Sequence, residues 1–360
     1  MATGEVLSAA DVQKRVVSLL RERLPETWNL TEAVASGQGS LGPDLSIQLA
    51  APDGQVTRLL VEAKQLVERR DVATLAHQVR LRAADVGEVP VVAARYLSPS
   101  VRQALTEEGL SYADATGNLR VLVDSPVLFI ADRGEDRDPW RKGRPRGTLK
   151  GEPAARVARA LVDYARDWSV RELIAVSGAS TGATYRVLEY LEREDLVTKK
   201  EKRYRVTDWE RLLRAWSADA SFQTTTRVMA FIEPRGVDAF LTKVAKQSAF
   251  PTAVTGSIAA KEWATYAPAK AAYVYVSSIQ EASEQWGLRP NAAAPNVILL
   301  EPKTVGDVPF QNASKAEGGY PIAAPAQVAA DLLNGPGREP VEGEFLIEWM
   351  KANEERWRSD

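Results

Sequence analysis

The chain has 360 residues, of which 45% are hydrophobic and 26% charged, and its formal net charge is −2. These values indicate a globular protein with several domains. The absence of cysteine excludes disulfides and thiolate zinc sites, and a single histidine, His77, excludes a histidine-rich metal site. The first residues lack the apolar run of a signal peptide, and no stretch of about 20 apolar residues follows. We therefore expect a cytoplasmic protein that does not insert into a membrane.

The first 135 residues alternate predicted helices and strands. Apolar residues recur on one helical face between Ala9 and Leu24, and Pro25 ends this helix. Beyond a glycine-rich loop, the turn Pro52-Asp53-Gly54 joins two strands as a hairpin. Further helices are predicted at 75–84 and 98–109, and further strands at 89–97, 110–115, 119–123 and 126–132. The alternation indicates an α/β domain over residues 1–135.

Two carboxylates and a lysine in this domain form a candidate catalytic site. Asp44 follows a proline at the start of one predicted strand, and Glu62 and Lys64 end the next strand. This order resembles the PD-(D/E)xK motif of restriction-endonuclease-like folds. It implies that Asp44 and Glu62 hold Mg²⁺ at the scissile phosphate while Lys64 orients or activates water. The alternative is that these residues are a remnant of the fold or a solvated strand edge.

The segment 109–118, GLSYADATGN, contains a second candidate. Asp114 with Gly117 and Asn118 could serve a site, or could form an Asx-type turn between two strands.

Residues 136–150 are rich in glycine, proline and charge without periodicity, so we predict a basic linker. The linker is either a disordered connector or an arm on the phosphate backbone or in the minor groove. The residues of such an arm would be Arg141, Arg144 and Arg146.

Residues 151–220 have the pattern of a winged helix-turn-helix. A first helix is predicted at 153–167 from its apolar face. Ser169 then forms a capping box with Glu172 and starts a second helix, which Gly178 ends. A third helix begins at Ser180, and two short strands joined by a charged turn follow it. An amphipathic helix at 207–220 extends the domain.

The third helix and the strands of this domain predict contact with duplex DNA, because a major groove admits one helix and cations can lie on flanking phosphates. Residues 137–205 contain 17 Lys and Arg against 10 Asp and Glu, which supports this use. The candidate DNA-contacting residues are Ser180, Thr181, Tyr185 and Arg186 on the helix, and Lys199, Lys200, Lys202, Arg203 and Arg205 on the wing. The alternative is a protein-interaction winged helix whose basic face is only solvated.

Residues 221–360 form a third predicted domain of strands and helices. Thr255-Gly256-Ser257 at the head of a predicted helix resembles the opening of a minimal nucleotidyltransferase fold. An active transferase would need two carboxylates at alternate positions on the following strand, where this chain has Tyr273 and Tyr275. The resemblance therefore implies a degenerate domain that senses a ligand, dimerises or docks a partner. The alternative for Thr255-Gly256-Ser257 is a plain helix N-cap.

The order of these parts resembles AbiEi-family antitoxins of type IV toxin-antitoxin systems and related bacterial helix-turn-helix regulators. The motif at 109–118, the basic linker, the winged helix and the C-terminal stretch YPIAAPAQVAADLLNGPGRE carry the resemblance. It implies a multidomain α/β protein that acts as a sequence-specific, antitoxin-like transcriptional repressor. We expect it to bind double-stranded DNA without a cofactor, as a homodimer on a palindromic site. The sequence leaves open whether a toxin partner exists.

Two other functions stay open on the same residues, and with them the question of whether the protein is an enzyme. One is a Mg²⁺-dependent DNA endonuclease to which the winged helix delivers the substrate. The other is a detector of single-stranded or damaged DNA that does not cut and that switches the regulator.

Overall fold

The computed structural model describes residues 7–34, 45–136, 138–140, 148–246 and 249–359. Four candidate residues lie outside this set: Asp44, Arg141, Arg144 and Arg146. The chain divides into two compact units, residues 1–145 and 146–360. Within the described ranges, no helix combines the length and the apolar character needed to cross a bilayer.

The first unit is a mixed sheet with helices on both faces. Its helices are α1 (Ala9–Arg23), α2 (Val72–Val86) and α3 (Pro99–Glu107). Its strands are β1 (Asn29–Val34), β2 (Leu45–Ala50), β3 (Val56–Lys64), β4 (Val89–Ala94), β5 (Ser111–Asp114), β6 (Leu119–Val123) and β7 (Leu128–Asp132). The strands lie in sequence order across the sheet. The β3–β4 and β4–β5 pairs are parallel and the other pairs are antiparallel.

Each face of this sheet has its own apolar core. Val16 and Leu20 of α1 pack with Ile47 and Leu59 of the strands on one face. On the other face, α2 and α3 pack over the middle of the sheet around Val92. The two cores alternate along β4, where Val91 belongs to the first core and Val92 to the second, since successive residues of a strand point to opposite faces.

The second unit begins with three helices and a hairpin, which we call the helix–hairpin segment. It consists of α4 (Glu152–Asp163), α5 (Val170–Ser177), α6 (Thr181–Arg193), β8 (Val197–Lys200) and β9 (Arg203–Val206). The predicted capping box is confirmed, because Ser169 and Glu172 exchange backbone and side-chain hydrogen bonds at the start of α5. Gly178 ends α5 with φ of 67°, a left-handed conformation that glycine adopts without strain.

The rest of the second unit is a second mixed sheet with its helices. The helices are α7 (Trp209–Asp219), α8 (Phe222–Thr225), α9 (Val237–Lys246), α10 (Gly256–Ala260), α11 (Ile279–Trp286), α12 (Pro325–Leu333), α13 (Glu339–Ala352) and α14 (Glu354–Trp357). The strands are β10 (Thr226–Ile232), β11 (Thr252–Thr255), β12 (Ala272–Val276), β13 (Arg289–Pro290), β14 (Val297–Pro302), β15 (Ser314–Lys315) and β16 (Pro321–Ile322). Their order is β13-β10-β14-β12-β11-β16-β15.

One apolar core joins the helix–hairpin segment to this second sheet. Leu161 of α4 and Leu188 of α6 belong to the same buried cluster as Trp216 of α7, Val328 of α12 and Val274 of β12. The helix–hairpin segment is therefore packed against this sheet and its helices, and this packing fixes where α6 and the hairpin lie in the second unit.

Candidate nucleic-acid interface

One face of α6 is buried and the opposite face is exposed, as the sequence predicts. Thr184 and Leu188 are fully buried, whereas Thr181, Tyr185 and Arg186 are exposed. Ser180 precedes them as the N-cap, and its hydroxyl accepts a hydrogen bond from the backbone amide of Ala183 at 3.4 Å. The exposed face thus offers a hydroxyl, a phenol and a guanidinium, and these are groups that can bond to base edges.

The hairpin beside α6 presents three exposed lysines, Lys199, Lys200 and Lys202. Its turn has φ of 51° at Glu201 and 66° at Lys202, so two residues other than glycine are left-handed. Asn-Gly or Asp-Gly usually occupies such a turn, because other side chains are strained there. A lysine therefore occupies the tip of the hairpin despite this strain, and it supplies a positive charge that a glycine would lack.

The two wing arginines differ from the lysines because acidic groups of the same unit hold them. The guanidinium of Arg205 contacts both carboxylate oxygens of Asp167, at 2.6 and 3.1 Å. Arg203 donates to the carbonyl of Asp167 at 2.6 Å and to the carboxylate of Glu172 at 3.0 Å. The hydrogen bond from Arg205 lowers the pKa of Asp167 below its usual value. These contacts tie β9 to the loop before α5 and orient the hairpin.

A backbone pairing also anchors the hairpin. The amide of Trp168 donates to the carbonyl of Tyr204 at 2.8 Å, and the amide of Tyr204 donates to the carbonyl of Trp168 at 2.7 Å. Trp168, two residues before α5, thus adds a third, one-residue strand to the hairpin. The ammonium of Lys199 lies 5.3 Å from the ring centre of Tyr204, within the range of a cation–π contact.

The carboxylate–lysine motif of the first unit is an ion cluster. Glu62 is 5% exposed, and one of its carboxylate oxygens lies 2.6 Å from the ammonium of Lys64. The other oxygen lies 2.7 Å from the guanidinium of Arg82 on α2. A buried carboxylate needs such compensation, because removing it from water is costly.

Mg²⁺ requires several oxygen ligands in octahedral geometry. Two cations already contact the carboxylate of Glu62. No group of three histidines or carboxylates suited to a metal occurs in the parts of the chain that the structure describes, which exclude Asp44. The described residues therefore do not by themselves fit Mg²⁺, and catalysis by Asp44, Glu62 and Lys64 stays a prediction.

Asp114 forms the Asx-type turn between β5 and β6. One carboxylate oxygen accepts from the amides of Thr116 and Asn118 at 2.9 and 3.1 Å. The other accepts from the amide of Leu97 at 3.0 Å and the side chain of Asn118 at 2.8 Å. Asn118 in turn bonds to the backbone of Gly134 and to the side chain of Arg102. The motif is thus saturated with internal hydrogen bonds and has a structural role.

The polar groups of Thr255-Gly256-Ser257 are occupied by carboxylates from α12 and α13. The hydroxyl of Thr255 donates to Asp331 at 2.6 Å, and the hydroxyl of Ser257 donates to Glu342 at 2.5 Å. Tyr275 on the following strand also donates to Asp331, at 2.9 Å. Although Thr255 is the N-cap residue of α10, its side chain makes no capping hydrogen bond. This arrangement differs from a plain N-cap, because the hydroxyl serves a buried network.

The sequence did not predict several of the residues that pair with the candidate site residues. Arg82 and Asp167 are distant along the chain from the residues that they contact, and no motif links them. The carboxylate near Thr255 comes from α12 and not from the strand that follows the helix. The only available signal was the polar pair Gln327 and Asp331, four residues apart in a helix that is otherwise apolar.

Comparison with known proteins gives little further information. No protein-family model matches the chain, and no curated protein matches it. One solved structure, described as EndoMS in apo form, is similar over 31% of this chain and 47% of that chain. The chain thus spans less than half of that protein. The sequence identity is 18% and the TM-score is 0.21, so the likeness carries no argument about function.

Proposed function

We propose that residues 151–220 form a winged helix-turn-helix that binds duplex DNA and that the chain acts as a transcriptional regulator. The supporting observation is the exposed face of α6 beside a hairpin with three exposed lysines. In this assignment Thr181, Tyr185 and Arg186 contact base edges in the major groove, and Ser180 caps the helix next to the backbone. Lys199, Lys200 and Lys202 lie on phosphates.

In this proposal Arg203 and Arg205 both orient the hairpin and contact phosphates. Their ion pairs with Asp167 and Glu172 set the angle of the hairpin, and their remaining donors face solvent near the same phosphates. Arg141, Arg144 and Arg146 are proposed as an arm on the flanking DNA. The regulator is proposed to be a homodimer on a palindromic site, and antitoxin-like repression with a toxin partner is part of the same proposal.

A gel-shift series with labelled genomic fragments, run with and without Mg²⁺, tests this function. A sequence-specific shift with intact DNA is expected. Cleavage of the DNA in the presence of Mg²⁺ would instead support the nuclease alternative, and Asp44→Ala or Lys64→Ala should then abolish cutting but not binding. If no DNA fragment is shifted or cut, both the regulator and the nuclease assignments are contradicted.

The salt dependence of binding measures the number of phosphate contacts. Six to eight contacts predict that log K falls with log salt with a slope of about six, since each contact contributes roughly 0.9. Replacing Lys199, Lys200 and Lys202 with alanine should reduce the slope by about three.

A matched control removes the same charge elsewhere in the second unit. Lys270, Lys303 and Lys315 are exposed and lie outside the hairpin. Their triple alanine variant should keep the slope of the unaltered protein. An unaltered slope of about one or two, or equal losses in both triple variants, would contradict the assignment.

A further inference from the structure

Among the residues that the structure describes, no helix packs over one face of the last two strands of the first sheet. On this side α2 and α3 pack over the middle of the sheet, and their buried core includes no residue of β6 or β7. Leu122 on β6 and Phe129 on β7 are cross-strand partners on the open part of this face. Leu122 is 38% exposed and Phe129 is 61% exposed. The aromatic ring of Phe129 is therefore largely exposed to solvent on this face.

A groove of about 720 Å³ lies next to this ring, between α3 and the strands. Arg102 lines its helical side, and Tyr112 and Arg120 line its floor. Tyr112 and Arg120 are cross-strand partners, so they share a face of the sheet. The guanidinium of Arg120 lies 5.9 Å from the ring centre of Phe129 and connects the groove to the exposed ring.

The charges of the groove leave a positive excess. Asp132 is paired with Arg23 at 2.5 Å, and Asp136 is paired with Arg102 at 2.5 Å. Arg120 donates one hydrogen bond, to a backbone carbonyl. Across the described ranges, no carboxylate pairs with Arg120 or with the exposed Arg133 at the end of the groove. An anionic ligand would therefore meet two guanidinium groups that are not neutralised.

We propose that this face binds single-stranded nucleic acid, with a base stacked on Phe129 and neighbouring phosphates on Arg120 and Arg133. An exposed aromatic ring beside cations is how proteins hold unpaired strands, because every base has a face that can stack. A duplex cannot use the ring, since its bases already stack on one another. An apolar protein surface would gain from Phe129 and Leu122 but would leave the arginines unpaired. The residues of this site belong to the first unit and α6 belongs to the second, so the two binding activities can be measured independently.

Binding of a fluorescent oligothymidylate of about 12 nucleotides to the full chain, followed by anisotropy at fixed salt, tests the proposal. Phe129→Ala should weaken binding by about 5- to 100-fold, which is the usual effect of losing one base stack. Phe129→Leu should weaken it similarly, because leucine keeps apolar area but offers no ring. Arg120→Gln with Arg133→Gln should also reduce affinity and flatten the salt dependence.

Two controls separate this site from the winged helix and from general surface effects. Leu81→Ala removes another exposed apolar side chain of the same unit and should leave affinity unchanged. Tyr185→Ala should leave oligothymidylate binding unchanged, and Phe129→Ala should leave duplex binding unchanged. Each unit thereby keeps its own readout, so failure of one proposal does not imply failure of the other.

Photocrosslinking with iododeoxyuridine in the oligonucleotide locates the contact directly. Crosslinks on peptides that contain Tyr112 or Phe129 support the proposal. Crosslinks confined to the second unit, or equal affinity of Phe129→Ala and the unaltered protein, overturn it. If Phe129→Ala dissolves a dimer in sedimentation without changing oligothymidylate binding, the face belongs to a second copy of the chain and the proposal is wrong.

Discussion

Asp331 gives the second unit a stability that should depend on pH. It is buried beneath α10, and burial raises the pKa of its carboxyl to about 6 against hydrogen bonds from Thr255, Gln327 and Tyr275 that lower it. The carboxyl has a reference value of 3.8. Because the folded protein holds this proton more tightly than the unfolded chain, the protonated carboxyl favours folding. This contribution is complete below pH of about 4 and is lost as the pH rises through 6.

The magnitude follows from the two pKa values. A difference of roughly two pH units corresponds to about 3 kcal/mol of unfolding free energy between pH 4 and pH 7.5. Asp331→Asn removes the titration and can keep the contacts. Its carbonyl oxygen can accept from Tyr275 and Gln327, and its amide can donate to the hydroxyl of Thr255. The variant should therefore gain stability relative to the unaltered protein as the pH rises.

Urea unfolding of both proteins at several pH values from 4 to 7.5 measures the difference. We expect the gap between Asp331→Asn and the unaltered protein to change by about 3 kcal/mol in favour of the variant across this range. Burial and the nearby Glu342 raise the pKa of Glu339 to about 7, but this group titrates in both proteins and therefore affects both stability curves rather than the gap between them. Asp238→Asn, at an exposed position of the same unit, should give parallel curves. Parallel curves for Asp331→Asn would refute the reasoning.

Two further predictions concern the helix–hairpin segment. Arg159→Met should destabilise the second unit by about 3–5 kcal/mol in urea unfolding, because the buried carboxylate of Asp163 loses its paired guanidinium; a loss below about 1 kcal/mol would contradict this account. Lys202→Gly should raise the stability of the hairpin by about 1 kcal/mol by relieving the left-handed turn, yet weaken duplex binding. Lys200→Gly, at an ordinary strand position, should lower stability, and a stability gain there would argue against turn strain.

Local signals made the helix–hairpin segment predictable. Ser169, Gly178 and Ser180 each act within a few residues of their own position, as caps or helix ends. The apolar period then identifies the buried face of α6. Such signals do not require knowledge of the rest of the fold, so helix bounds from the sequence agree with those in the structure to within a few residues.

Elements that depend on distant partners were not predicted. In strand β1 (Asn29–Val34) the adjacent polar residues Thr31 and Glu32 break the alternation that identifies a strand, so β1 is recognisable only from its pairing with β2. The partners of Glu62, Arg203 and Arg205 lie on other elements, so no spacing rule identifies them.

The buried polar network shows why the helix–hairpin segment and the second sheet share one unit. Arg159 of α4 is fully buried and bonds to Asp163, to Gln327 of α12 and to two backbone carbonyls. Gln327 continues to Asp331, which holds Thr255. Each group in this network is a hydrogen-bond partner of the next. Separating α4 from the second sheet would therefore leave several buried polar atoms without partners, which is costly. Any ligand at the start of α10 would have to displace Asp331 and Glu342 and thereby disturb the network that supports α4.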